Sequence, residues 1–211
     1  RINVSPFIKL NENKILYGNQ VVNNSLKFWE RLIYGEFPFQ LSKQSLIQKA
    51  LNSIHRDIDL ELEKDAEEKA IKILGKDNVE ARISNFKRLS PNYNKNESCG
   101  EIDLLCINRN TFQIFVLDAK NINVKISLYQ MRQNIDEFYK GEKSYYSKLM
   151  KKKKFIEDNK SEILNHFNIT EHKDWKVKEG FITSSYLFAK YFAGIKVDFV
   201  LLEELDGFLN N

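Results

Sequence analysis

Cysteine is scarce in this chain: Cys99 and Cys106 are the only two among 211 residues. Two thiols are too few for a disulfide framework, and with neither a C-x-x-C pair nor a histidine beside them they make no zinc site, which points to a reducing, cytoplasmic setting. Glycine and proline are sparse too, at eight and three, which argues against a turn-dense β-sandwich and against any repeat built on glycine. No apolar run approaches the ~20 residues that a membrane span needs, and the first residues lack a signal-peptide core, so no membrane partner is expected. His55, His166 and His172 are scattered without metal spacing. The chain has no G-x-S-x-G elbow, no phosphate-cradling glycine loop and no Cys and His arrangement for a thiol nucleophile, which removes most rival enzyme classes.

What is present is a core. Hydrophobic residues make up 42% and aromatic residues 12%, with fifteen Phe and nine Tyr, which excludes wholesale disorder. Thirty-three Lys and Arg against twenty-nine Asp and Glu leave a net charge of +4, so the placement of charge along the chain is more telling than its average. The length suits one well-buried domain with an appendage. Residues 1–41 read as an accessory segment packed on the core, rich in aromatics (Phe7, Tyr17, Phe28, Trp29, Tyr34, Phe37, Phe39) and broken by Pro6, Gly18, Gly35 and Pro38, with a short helix expected over 23–34. Residues 42–211 read as the main domain. A first residue of Arg1, in mid-pattern, is expected of the C-terminal part of a larger protein with further domains before it.

Ser42, with Ser45 close behind, opens a long helical pattern in which Leu46, Ala50, Leu51, Ile54, Ile58, Leu62, Ala66, Ala70, Ile73 and Leu74 keep a 3.6-residue period until Gly75. Asp59, Glu63 and Glu67 form a second stripe beside the apolar one. Val79, Ala81 and Ile83 alternate as in a strand, and a polar loop fills 87–98. Two apolar runs, 101–107 and 112–119, flank the turn-rich tetrad Asn108-Arg109-Asn110-Thr111 and predict a hairpin. Helices are expected over 128–139 and 145–167, then strands over 180–187 and 197–202. This order describes an α/β fold, a central mixed sheet covered by helices on both faces.

The hairpin is apolar on both faces, with Ile102, Leu104 and Cys106 on one side of its first strand and Leu105 and Ile107 on the other. Into this setting fall Asp103, Asp118 and Lys120. Burying ionised groups costs several kcal/mol each unless a partner or a metal compensates, and a metal is the economical explanation. Side chains alternate along a strand, so Asp118 and Lys120 share a face. With the tetrad as the loop, Ile107 pairs with Phe112, Asp103 lies opposite Val116, and Asp118 is its diagonal neighbour on the same face, roughly 7 Å away. Two carboxylates so placed can hold one divalent cation, and hard oxygen ligands suit Mg²⁺ or Mn²⁺ rather than zinc.

The run Gly100-Glu101-Ile102-Asp103-Leu104-Leu105, fourteen residues between the two aspartates, and Val116-Leu117-Asp118-Ala119-Lys120 resemble the signature of the PD-(D/E)xK nuclease superfamily, whose restriction-endonuclease-like fold includes Holliday-junction resolvases. The resemblance implies that Asp103 and Asp118 are metal ligands and that Lys120 positions the attacking water and offsets developing charge. It further implies a glutamate on the preceding helix. Glu63, followed by Ala66, Ala70, Leu74 and Gly75, fits best, and Glu67 is the alternative. A glutamine on the following helix would match Gln130 or Gln133, and Glu101 could serve as an extra ligand. The chain departs from the pattern at Cys99, which stands where the family's proline would be, and in having Asp rather than Glu as the second acid.

Lys148, Lys151, Lys152, Lys153, Lys154 and Lys160 crowd one expected helix, and Lys87, Arg88 and Lys95 lie in the polar loop. Such a stripe grips phosphates without reading sequence. The expected function is therefore a Mg²⁺-dependent or Mn²⁺-dependent nuclease acting on nucleic acid, DNA first, with Lys148, Lys151, Lys152, Lys153 and Lys154 as the nucleic-acid-binding set. A second copy of the chain is an expected partner where both strands of a duplex are cut. The competing reading is a catalytically silent module that keeps the fold to dock nucleic acid or a protein.

Overall fold

The computed structural model describes residues 7–11, 14–17, 22–23, 26–27, 30, 45–90, 99–122, 128–170, 173–191 and 197–211. The chain forms two compact units, Arg1–Ile58 and Asp59–Asn211. The division falls inside the long helix rather than before it, where the sequence places the boundary.

In the first unit an antiparallel hairpin joins β1 (Phe7–Asn11) to β2 (Lys14–Tyr17), with Phe7 opposite Tyr17 and Ile8 opposite Leu16. The aromatic segment thus holds a hairpin the sequence reading passes over. The described residues Val22, Asn23, Leu26, Lys27 and Glu30 are helical, and the rest of the helix expected over 23–34 lies outside the described residues, as does Ser42. Helix α1 (Leu46–Leu74) is opened by Ser45, whose hydroxyl accepts the Gln48 N–H at 3.1 Å. That contact satisfies one of the unpaired amides of a helix start.

The second unit is α/β: a five-stranded mixed sheet, flanked by helices, in the order β3 (Val79–Ile83), β4 (Ile102–Asn108), β5 (Gln113–Lys120), β6 (Lys176–Thr183), β7 (Asp198–Leu201). The β3–β4 and β4–β5 pairs are antiparallel, and β5–β6 and β6–β7 are parallel. Between β5 and β6 run α2 (Leu128–Tyr139), α3 (Tyr145–Asp158) and α4 (Lys160–His166), and α5 (Leu205–Leu209) closes the chain. The expected single helix over 145–167 is therefore two, interrupted at Asn159. The sixth strand begins four residues before the start expected at 180.

Alternation along the strands sorts the core into two layers. Leu105, Ile107, Ile114, Val116 and Phe181 pack with Leu149, Phe155 and Ile156 of α3, while Leu104, Cys106, Phe115, Leu117 and Ile182 pack with Ala66 and Ala70 of α1 and Leu205 and Leu209 of α5. Small side chains at Ala66 and Ala70 let that helix approach the sheet closely. Gly75, at φ 86, ends it in a conformation that suits glycine. Among the described residues no helix is long and apolar enough to cross a membrane.

The hairpin register differs from the expected one. Asn108 pairs with Gln113, so residues 109–112 form the turn, and the Asn108 side chain accepts the N–H groups of Asn110 at 2.9 Å and Thr111 at 3.2 Å. Asn108 therefore closes the strand instead of opening the loop, and Phe112 takes the left-handed conformation, φ 53, instead of a strand position. The pairing moves by two residues, which leaves every side chain on its expected face. Continued one step beyond Leu104 and Leu117, the register sets Asp103 across from Asp118 rather than from Val116.

Candidate active site

The site begins where the sheet splits. β4 stays paired with β3 as far as Ile102, and β5 with β6 as far as Lys120, but the ladder between β4 and β5 stops at Leu104 and Leu117. Past that point the Asp103 carboxylate takes over the ladder's work, its Oδ2 accepting the Ala119 N–H at 2.9 Å. Asp103, Asp118 and Lys120 share the sheet face that α3 covers.

Lys120 Nζ lies 2.7 Å from Asp118 Oδ2 and 3.5 Å from Asp103 Oδ2. It also donates to the Ala119 carbonyl at 2.8 Å and sits 5.5 Å from the centre of the Tyr145 ring. A second lysine completes the group. Lys152 Nζ is ion-paired with Asp118 Oδ1 and lies 3.5 Å from Asp103 Oδ1. The cluster is thus two carboxylates bridged by two ammonium groups, one on each pair of oxygens. Asp118 is 3% exposed and Lys152 6%, so each charge depends on the others for the solvation that water no longer gives.

These neighbours set the protonation of the group. Burial pushes the Asp118 carboxyl up, but the Lys120 and Lys152 ammonium groups beside it prevail and hold it below the usual carboxylate range. Asp103 goes the other way: burial and then the Asp118 charge raise it, and the two lysines only partly offset them. For Lys120, burial favours loss of the proton, yet the Asp118 and Asp103 charges outweigh it and raise its pKa. Burial raises the Cys99 thiol to about 11 against a smaller opposing pull from the Lys152 charge, so Cys99 borders the cluster as a neutral group.

The remaining sequence candidates separate. Glu63, half-buried on α1, has its carboxyl raised by burial and next by the Asp103 charge, with the Lys120 charge opposing. Glu67 is engaged by Arg82 through an ion pair. Glu101 is exposed just before β4, and its charge acts on Glu63. Gln133 is exposed on α2, and the Gln130 side chain lies outside the described residues.

The basic stripe divides by burial and pairing. Lys152 is turned inward, because Leu149, Phe155 and Ile156, at three and four residues from it, are the buried face of α3. That spacing is visible in the sequence and marks Lys152 as an inward residue, a signal the count of lysines concealed. Lys153 is paired with Glu179 at 2.8 Å. Lys148, Lys151 and Lys154 are exposed. In the polar loop Arg88 is ion-paired with Glu80, which also meets His166 Nε2 at 2.8 Å, and Lys95 lies outside the described residues. Lys160 donates to the Trp175 carbonyl at 2.9 Å.

Among the described residues no three His, Cys, Asp or Glu side chains gather as a ready metal cage. The donor set fits a different kind of site: the oxygens of two separate carboxylates converge on single cationic points, the Oδ1 pair on Lys152 and the Oδ2 pair on Lys120. Two carboxylates with the rest of the shell left to water suit Mg²⁺ or Mn²⁺, which keep several waters. No protein-family model, no curated protein and no solved structure matches the chain.

Proposed function

We propose that the chain is a metal-dependent nuclease of the PD-(D/E)xK kind, with a restriction-endonuclease-like second unit that hydrolyses phosphodiester bonds in DNA. The observation that carries this reading is the meeting of Asp103, Asp118 and Lys120 at the split end of the sheet, with Lys120 Nζ 2.7 Å from Asp118. The succession of a long helix, three antiparallel strands, helices and two parallel strands supports it as well. Asp103 and Asp118 would hold Mg²⁺ or Mn²⁺ directly, and Glu63 through water. The ion would supply Lewis-acid stabilisation of charge on the phosphate and acidify a bound water. Lys120, kept protonated by the aspartates, orients the attacking water and offsets charge developing on the phosphoryl oxygens. Tyr145 limits the space around its ammonium, and exposed Lys148, Lys151 and Lys154 grip the backbone.

The test is cleavage of supercoiled plasmid in Mg²⁺, Mn²⁺ or chelator. Wild type should nick or linearise it only with metal, and Asp118→Asn and Lys120→Ala, verified as folded by circular dichroism, should lose at least about a hundredfold in rate. Unchanged cleavage by Asp118→Asn refutes the site.

A second reading, a silent module that docks nucleic acid or a protein, is favoured by one feature: Lys152 already balances the carboxylates. DNA binding with no cleavage in either metal would establish it.

A further inference from the structure

We propose that the Lys152 ammonium holds the place between Asp103 and Asp118 that a divalent cation takes, so that the ion enters by expelling a lysine. This rests on the metal reading of the site and adds a regulator to it. Lys152 Nζ is the point on which one oxygen of each carboxylate converges, the arrangement a small cation requires.

The two lysines of the cluster are not equivalent. Lys120 has anchors besides the aspartates, the Ala119 carbonyl and the Tyr145 ring. The hydrogen-bond and ion-pair partners of Lys152 are the two carboxylates. Once an ion takes those oxygens, Lys120 retains contacts and Lys152 keeps none of these. Its four-carbon stem is buried on α3 with Leu149, Phe155 and Ile156, and expulsion calls for rotation about that flexible stem.

Charge balance gives the sign. Two aspartates and two lysines sum to zero, so a dication meets a neutral cluster. Without Lys152 it meets one net negative charge and breaks no ion pair on entering. Lys152 therefore lowers metal affinity and keeps the metal-free fold from carrying one buried negative charge that Lys120 alone does not balance.

The experiment is calorimetric titration of Mn²⁺ into the metal-free full chain, for wild type, Lys152→Met and Lys120→Met. Lys152→Met should bind roughly tenfold tighter than wild type or better, with a larger gain than Lys120→Met, and its metal-free melting temperature should fall and recover on adding Mn²⁺. Equal gains in the two variants, or no gain in Lys152→Met, overturn the proposal while wild-type binding leaves the metal reading standing. A wild type that takes up no Mn²⁺ overturns the metal reading and the proposal together. Should Lys152→Met fail to fold, the wild type decides: in ¹⁵N-lysine NMR, saturating Mg²⁺ must abolish the protected ammonium signal of Lys152, and an unchanged signal overturns the proposal.

Discussion

Asp103 and Asp118 are the same amino acid on neighbouring strands, yet one carboxyl is raised and the other lowered, because Asp118 receives the closer contact from both lysines. Lys120 offers the cleanest readout of this electrostatics. Its folded pKa lies above its unfolded one, so its stabilisation is fully present below about pH 10.4, the ordinary lysine value, and is lost as pH rises through the higher folded value. Wild type should therefore melt above Lys120→Met at neutral pH, and the gap should shrink beyond about pH 10.4. A gap that stays constant up to the end of the alkaline range contradicts the assignment. Comparing two proteins removes groups that titrate there without feeling Lys120, such as Tyr139, which burial raises, and leaves Tyr145, which burial raises against the pull of the Lys120 charge, as part of the same readout.

At the scale of elements, β6 is the strand on which the parallel half of the sheet turns, and Gly180 is its tightest point. A Cβ there would lie 3.3 Å from the Asp198 carbonyl oxygen of β7, 3.3 Å from Leu117 Cδ2 and 3.4 Å from Phe208. The Asp198 oxygen belongs to a paired backbone and cannot yield as a side chain can. Gly180→Ala should cost about 1–3 kcal/mol in urea unfolding, whereas Gly207→Ala, with nothing near its added carbon, should cost far less. The strands that carry the charged cluster were legible because Asp103, Asp118 and Lys120 interrupt apolar runs, and a period of two fixes which of them share a face. Their register was not legible, since Asn108 reads equally as the first turn residue and as the last of the strand; its side-chain bonds to Asn110 and Thr111 decide. The burial of Lys152 shows in its helical position, three and four residues from Leu149, Phe155 and Ile156, and not in its charge type. α5 was missed because five residues are too few to show a period. The hairpin of β1 and β2 gave a signal, Asn11-Glu12-Asn13 between apolar runs, that the surrounding aromatics obscured.

For the whole molecule, a net charge of +4 says little, but its distribution gives α3 two roles. Lys152 faces the carboxylates, and Lys148, Lys151 and Lys154 remain exposed on the same helix. DNA affinity should fall as salt rises, and replacing those three by alanine should flatten the log–log slope by about 0.9 for each lysine that touches a phosphate. Fluorescence anisotropy across a salt series measures it; a slope that the triple variant leaves intact places the contact surface elsewhere. The cluster itself draws on positions 103, 118, 120 and 152. A ribosome makes the chain from its N-terminus, so both acids emerge with a single lysine for company, and the second is translated more than thirty residues later. Without that residue the two acids and one lysine sum to a single negative charge, so docking of the helix that carries Lys152 should be favoured by charge as well as by its apolar face.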